Sequence, residues 1–200
     1  MVLEDDLKCM KRVLRRLNFI DKNEIVQMKG RVACEVSACD EIIATELMFS
    51  GMFQDMEPSE LAALLSCLVY DERNSDMNYT FKNQKLADLH NVLLEHGKRV
   101  FKVYQDAKIN IDETEYLASL NPKMMDMTFM WANGAGFSEI CKGADIYEGS
   151  VIRCLRRLDE LLKEMAAAAK AIGNLDLEDK FNQSSKRIRR GIVFAGSLYI

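Results

Sequence analysis

An all-α bundle of about six to eight helices is what this sequence predicts from the repeat of its apolar residues, and three observations support the class. Only two prolines and ten glycines occur in 200 residues, too few punctuating residues for a turn-rich β architecture. Apolar side chains recur at steps of three and four through most of the chain. Hydrophobic residues make up 48% and charged residues 29%, a globular composition with enough apolar mass for one sizeable core.

The first helical pattern covers residues 3–17, with Leu3, Leu7, Met10, Val13, Leu14 and Leu17 at helical spacing and Lys8, Lys11, Arg12, Arg15 and Arg16 on the other faces. Residues 25–37 follow, containing Lys29-Gly30-Arg31 and then Val32-Ala33-Cys34-Glu35-Val36. Their β character reads as a short extended connector. A boundary near residue 28 separates an appendage, 1–27, from the main bundle, 28–200. The abrupt start in a helical pattern reads as an excised piece with an added methionine.

Helix 40–50 then stops at Gly51, a left-handed terminus. Pro58 opens helix 58–72 where its missing N–H would be unpaired anyway. A long helix spans 84–108 and tolerates Gly97 at a cost of about 1 kcal/mol relative to alanine. The next, 113–132, is interrupted at Asn121-Pro122, because proline disfavours helical backbone in the residue before it. After Gly134-Ala135-Gly136 come a short helix at 137–142, a turn, and a long helix at 150–172 closed by Gly173-Asn174. Asp176 caps a last helix expected to end near Ala195. The apolar ending, 192–200, is expected to tuck back into the protein.

Charge and chemistry narrow the function. Lys and Arg number 27 against 31 Asp and Glu, for a net charge of −4. A domain holding nucleic acid by bulk attraction would be basic, so RNA contact needs a local stripe of arginines or a groove shared with other domains. Six cysteines occur with no C-x-x-C pair, and His90 and His96, six apart, lie on different helix faces. That is unlike a zinc site. The cysteines read as small buried apolar residues in a reducing compartment. No apolar run nears the roughly 20 residues that cross a bilayer, and no secretory signal opens the chain. Phosphate loop, H-E-x-x-H and G-x-S-x-G spacings are all missing. The chain by itself is therefore expected to hold no cofactor or metal and to catalyse nothing. Asp40-Glu41 and Asp71-Glu72 read as surface or helix-end charges.

The sharpest pattern lies in 150–172. Val151, Leu155, Leu158, Leu162, Met165, Ala169 and Ile172 alternate steps of four and three, a heptad-like seam. Arg153, Arg157, Glu160 and Glu164 fall in a stripe opposite it, with Arg156 and Lys163 on one flank. One reading is a solvated face of i,i+4 ladder pairs worth about 0.2–0.5 kcal/mol each. The other is a surface whose guanidinium groups hold phosphates or stack on bases while the carboxylates orient them. Spacing does not separate the two. The segment 137–149, followed by an arginine-bearing helix start, also permits a helix-turn-helix DNA-binding reading.

Several stretches together resemble a known family. They are 8–17 (KCMKRVLRRL), 28–35 (MKGRVACE), 63–67 (ALLSC), 140–142 (ICK), 147–153 (YEGSVIR), 171–174 (AIGN) and 197–199 (SLY). In this order they are similar to the C-terminal domain, DSHCT, of superkiller-type DExH-box RNA helicases, and most of all to its nuclear exosome-associated branch, the motor of the TRAMP complex. The resemblance implies a parent that unwinds structured RNA 3′-to-5′ with ATP and Mg bound in two RecA-like domains. It also implies delivery of RNA, including ribosomal precursors, to the nuclear exosome, with a nuclear and nucleolar location. The bundle would pack on the RecA-like domains and face the RNA with one long "ratchet" helix, here 150–172. On that resemblance Arg157 and Glu160 match RNA-facing positions, Arg153 lies one turn earlier, Glu72 is near the RNA path, and Arg156 joins them from the flank. Residues 1–27 resemble the returning end of an arch insertion. Gly143-Ala144 and Gly191 depart from the family's pattern. A protein-docking scaffold with little RNA contact is the other role such a domain could have.

Overall fold

Pro58–Val69 forms the helix around which the others pack. Its sequence, PSELAALLSCLV, is apolar on nearly every side, and a helix apolar all round has to be enclosed. The computed structural model describes residues 2–72 and 78–195, and in it Leu61, Ala62, Ala63, Leu64 and Leu65 have no exposed surface. In chain order the helices are α1 (Val2–Arg16), α2 (Met28–Cys34), α3 (Glu41–Phe49), α4 (Pro58–Val69), α5 (Gln84–Asp106), α6 (Glu113–Ala118), α7 (Met125–Ala132), α8 (Phe137–Cys141), α9 (Glu148–Ala171) and α10 (Leu175–Ile188). Pro122–Met124 and Gly191–Phe194 form 3-10 turns. Helix α4 packs against α7, α9 and α10, and α9 lies against α10. No described helix is long and apolar enough to cross a membrane.

The all-α class is as expected, with more and shorter helices than the spacing suggested. The predicted extended connector at 25–37 is corrected: it is helical over Met28–Cys34, and the only extended pairing among the described residues is one antiparallel bridge, Ile20 with Val26. Tertiary contact overrides the β propensity here. Val32 is fully buried, and a Cβ on Gly30 would lie 2.5 Å from the Phe19 carbonyl oxygen. Gly30, with no Cβ, is what lets α2 cross the preceding turn so closely. Val13 of α1 and Phe19 join the same core as Val32, while Leu3 and Leu7 stand exposed.

Helix ends follow local capping rules, with small shifts from expectation. Asp40 accepts from Ile42 N at 2.9 Å, Asn83 from Lys85 N at 3.0 Å and Asp112 from Glu115 N at 2.9 Å, each satisfying an N–H with no intrahelical partner. The cap of α10 is Asn174, accepting from Leu177 N at 3.1 Å, and not Asp176, which lies inside the first turn. Helix α10 also stops at Ile188, short of Ala195. There Trp131 Nε1 donates to the Ile188 carbonyl at 2.8 Å, and the Arg190 guanidinium sits 3.7 Å from the Trp131 ring centroid. The chain then turns back, burying Val193; residues 196–200 lie outside the described part.

All six cysteines are free. Cys67 and Cys154 are buried as expected, whereas Cys34 is exposed at the end of α2.

Candidate nucleic-acid interface

Helix α9 is enclosed on more than one seam. Val151, Leu155, Leu158, Leu162, Met165 and Ala169 are buried, and so are Cys154, Leu161, Ala166 and Ala168. What remains outside is a narrow ridge of Arg153, Arg156, Glu160, Lys163, Ala167 and Lys170, again at alternating steps of three and four. The predicted solvent stripe is thus rotated by part of a turn. Arg157 and Glu164 lie at its edge, turned toward neighbouring loops.

Neither arginine stripe residue is sealed in the core. Arg153, 73% exposed, donates to Ser150 Oγ at 3.0 Å and lies 3.6 Å from Glu72 Oε1. Arg157 donates to Asp71 Oδ2 at 2.8 Å and to the Ala38 carbonyl at 3.4 Å. Glu72 accepts from Tyr70 Oη at 3.0 Å and from Ser150 Oγ. The structure so gathers Arg153, Arg157 and Glu72 around one shallow cleft of about 130 Å³, with Val69, Tyr70, Asp71, Ser150 and Cys154 completing its wall. Glu160 stands exposed one turn further along the ridge. Arg156 belongs to the opposite flank, where its Nε donates to the Val193 carbonyl at 2.7 Å.

The expected ladder of Arg153, Arg157, Glu160 and Glu164 does not form; among the described residues, none of the four pairs with another. Glu164 instead accepts from Ser37 N at 2.9 Å, Ser37 Oγ at 2.5 Å and Ala38 N at 3.0 Å, pinning the loop between α2 and α3 to α9. Asp71 and Glu72, expected to be plain helix-end charges, are the counterions of the two arginines. Ser150 was missed as a site-building residue, and Glu164, placed on the stripe, was expected to pair within it. Its bonds to the 37–38 loop carried no sequence signal, since those partners lie 126 and 127 positions away.

Electrostatically the cleft is balanced, two guanidinium groups facing two carboxylates. Burial raises the Tyr70 hydroxyl above its ordinary value, and the bond to Glu72 adds to the rise. Burial also pushes the Cys154 thiol up to about 12, Arg157 opposing and Asp71 and Glu72 reinforcing the shift. Both groups stay protonated at neutral pH, so neither serves as a nucleophile or base. Arg is the side chain suited to anion contact. Each guanidinium has five N–H donors in a rigid fork, and exposed ion pairs are worth only about 0–1 kcal/mol. A phosphate can replace the carboxylate at little cost while the acids keep both arginines oriented until then.

The helix-turn-helix arrangement finds no support. Helix α8 has five residues, and Ser150, Val151 and Cys154 in the opening turns of α9 are buried.

The family model described as the DSHCT (NUC185) domain matches residues 23–195. The chain is 50% identical over 196 residues to the exosome RNA helicase MTR4 of Homo sapiens, covering 98% of this chain and 19% of that protein. It is 46% identical to the ATP-dependent RNA helicase mtr4 of Schizosaccharomyces pombe, over 98% of this chain and 18% of that protein. To the DExH-box ATP-dependent RNA helicase DExH9 of Arabidopsis thaliana it is 42% identical, over 100% of this chain and 20% of that protein. The chain therefore spans about a fifth of the length of these curated relatives.

Proposed function

Because this chain belongs to the DSHCT (NUC185) family, we propose that it is the C-terminal bundle of an ATP-dependent 3′-to-5′ RNA helicase that unwinds structured RNA and passes it to the nuclear exosome. On this reading the motor, its ATP and its Mg belong to RecA-like domains elsewhere in the parent protein. Residues 28–200 form the bundle docked on them, and 1–27 the returning end of an arch insertion. The nucleus and nucleolus, TRAMP subunits and ribosomal RNA precursors are its setting, partners and substrates. Support comes from relatives whose names are exosome RNA helicase and ATP-dependent RNA helicase.

One observation carries the RNA-guiding role: α9 is held on its apolar sides by the core while Arg153, Arg157 and Glu160 stay reachable along its outer edge. An acidic bundle can serve RNA this way if it supplies one stripe of a channel whose other walls make most of the phosphate contacts. Replacing Arg153 and Arg157 together by alanine in the intact helicase should lower unwinding at least tenfold while leaving ATP hydrolysis and partner binding in place. Unchanged unwinding would shift the role to a docking scaffold. Such a scaffold has its own candidate surface in the exposed Leu3, Leu7, Ile25 and Met28.

A further inference from the structure

The two flanks of the α9 ridge differ in charge. On the α4 side each arginine meets a carboxylate. On the α10 side Lys163 and Arg189 meet over a single carboxylate, with Arg156 further along the same face. Asp159, only 4% exposed, accepts from Ser185 Oγ of α10 at 2.5 Å through one oxygen. Its other oxygen takes Lys163 Nζ at 2.8 Å and lies 3.7 Å from Arg189 Nε. Lys163 and Arg189 are both about half exposed, at 51% and 50%. Arg156 stands two turns before Lys163 on the same face, about 10.5 Å away along the axis. Its guanidinium is anchored to the Val193 and Ala195 carbonyls, which fix its place without neutralising it. The Arg189 guanidinium is held beside the Phe194 ring at 5.9 Å.

We propose that this α9–α10 shoulder, with Lys163 and Arg189 positioned by the buried Asp159 and Arg156 by the Val193 and Ala195 carbonyls, is a phosphodiester-binding track for the RNA strand that the α9 ridge guides. The inference rests on the RNA-guiding reading and deepens it, adding Lys163 and Arg189 as backbone contacts and Asp159 as a positioning residue. The chemistry favours an oligoanion. Three cations from α9 and the end of α10 line one exposed shoulder beside the exposed Glu160, and the carboxylate between Lys163 and Arg189 is turned inward, where it orders those two and leaves their outer N–H groups for a ligand. Contacts of this kind hold a strand in register without reading its sequence, which suits a channel that accepts any transcript.

The test uses the intact helicase and a single-stranded oligoadenylate, with affinity measured across a salt series. Lys163→Gln combined with Arg189→Gln should weaken binding about tenfold and reduce the slope of log affinity against log salt by about 1.4, at about 0.7 per phosphate contact on a single strand. An oligouridylate should show the same loss. Asp159→Asn is the decisive companion, because the amide keeps an oxygen for Ser185 but removes the negative charge. Binding should then weaken severalfold as Lys163 and Arg189 lose their shared anchor, with the thermal midpoint held; unchanged binding, or weakening only in step with a lowered midpoint, would overturn the proposal. If the shoulder variants bind RNA normally while the Arg153 and Arg157 double variant fails to unwind, the track is wrong and the cleft reading stands. Should both sets behave as the unaltered helicase does, both readings fail together.

Discussion

Helices α5 and α9 are nearly equal in length, 23 and 24 residues, and both are amphipathic, yet they occupy opposite kinds of place. In α5 the buried residues are Leu86, His90, Leu93, Gly97, Val100, Phe101 and Tyr104, a single seam at steps of four and three with one added aromatic. Helix α9 buries twelve, because α4 encloses one side and α10 another. The lesson is that a heptad-like seam identifies a helix that packs, not how many neighbours it packs against. A peripheral helix offers a broad solvent face. A central helix keeps only a ridge, and whatever stands on that ridge is placed to within a side chain's reach by the whole core.

The comparison breaks first on core truncation. Leu158→Ala in α9, at a site with no exposed surface, should cost about 3 kcal/mol, while Val92→Ala on the solvent side of α5 should stay within about 0.5 kcal/mol. Urea unfolding of the two variants reads the difference, and equal midpoints would mean α9 is not central. Next comes Glu164→Ala, which strips three donors of the 37–38 loop of their shared carboxylate. A loss of about 2 kcal/mol is expected from hydrogen bonds to a charged group, together with faster amide hydrogen exchange at Ala38. Its counterpart on α5, Lys98→Ala, removes an exposed pair with Glu95 and should change stability by less than about 0.5 kcal/mol. Removing the α10 cap with Asn174→Ala should cost about 1 kcal/mol, and Asp176→Ala measurably less. That ordering reverses if Asp176 is the true cap.

Acid sensitivity sharpens the contrast further, because α5 carries both histidines and α9 none. Burial holds the His90 imidazole below its ordinary value of 6.5, against the raising influence of its bond to the Leu120 carbonyl, and His96 shifts in the same direction. The unfolded chain therefore takes up protons near pH 6.5 that the folded chain refuses. Stability from these groups is full above that pH and is lost as pH falls toward the depressed folded values. His90→Gln should flatten part of the decline in thermal midpoint below pH 6.5, and a decline of unchanged steepness would exclude His90 as its source.

Much of the fold was legible because it is locally encoded. Gly51 and Pro58 marked their helix boundaries, and the apolar period placed α5 and α9 to within a few residues. The reading of 25–37 as extended chain went astray for a tertiary reason. The β-branched residues near Val32 and the glycine at position 30 speak locally for extended chain, but a close crossing over Phe19 and a buried valine outweigh a propensity worth only a fraction of a kcal/mol per residue. The site was half legible. Arg153 and Arg157 could be read from their face of the helix, and Glu72 from its family resemblance. Their union in one cleft could not be read, because Asp71 and Glu72 are about eighty positions away from the arginines.

By itself the sequence determined the helical class, most of the caps and turns, and the apolar seam of α9. Those properties depend on neighbours within four residues, where backbone geometry alone fixes who meets whom. Only the tertiary structure decided which flank of α9 is charge-balanced and which is left cationic. That outcome turns on the placement of Asp71, Glu72, Arg189 and the carbonyls of Val193 and Ala195 by elements distant in the chain, and Coulomb interactions act through space without regard to chain order.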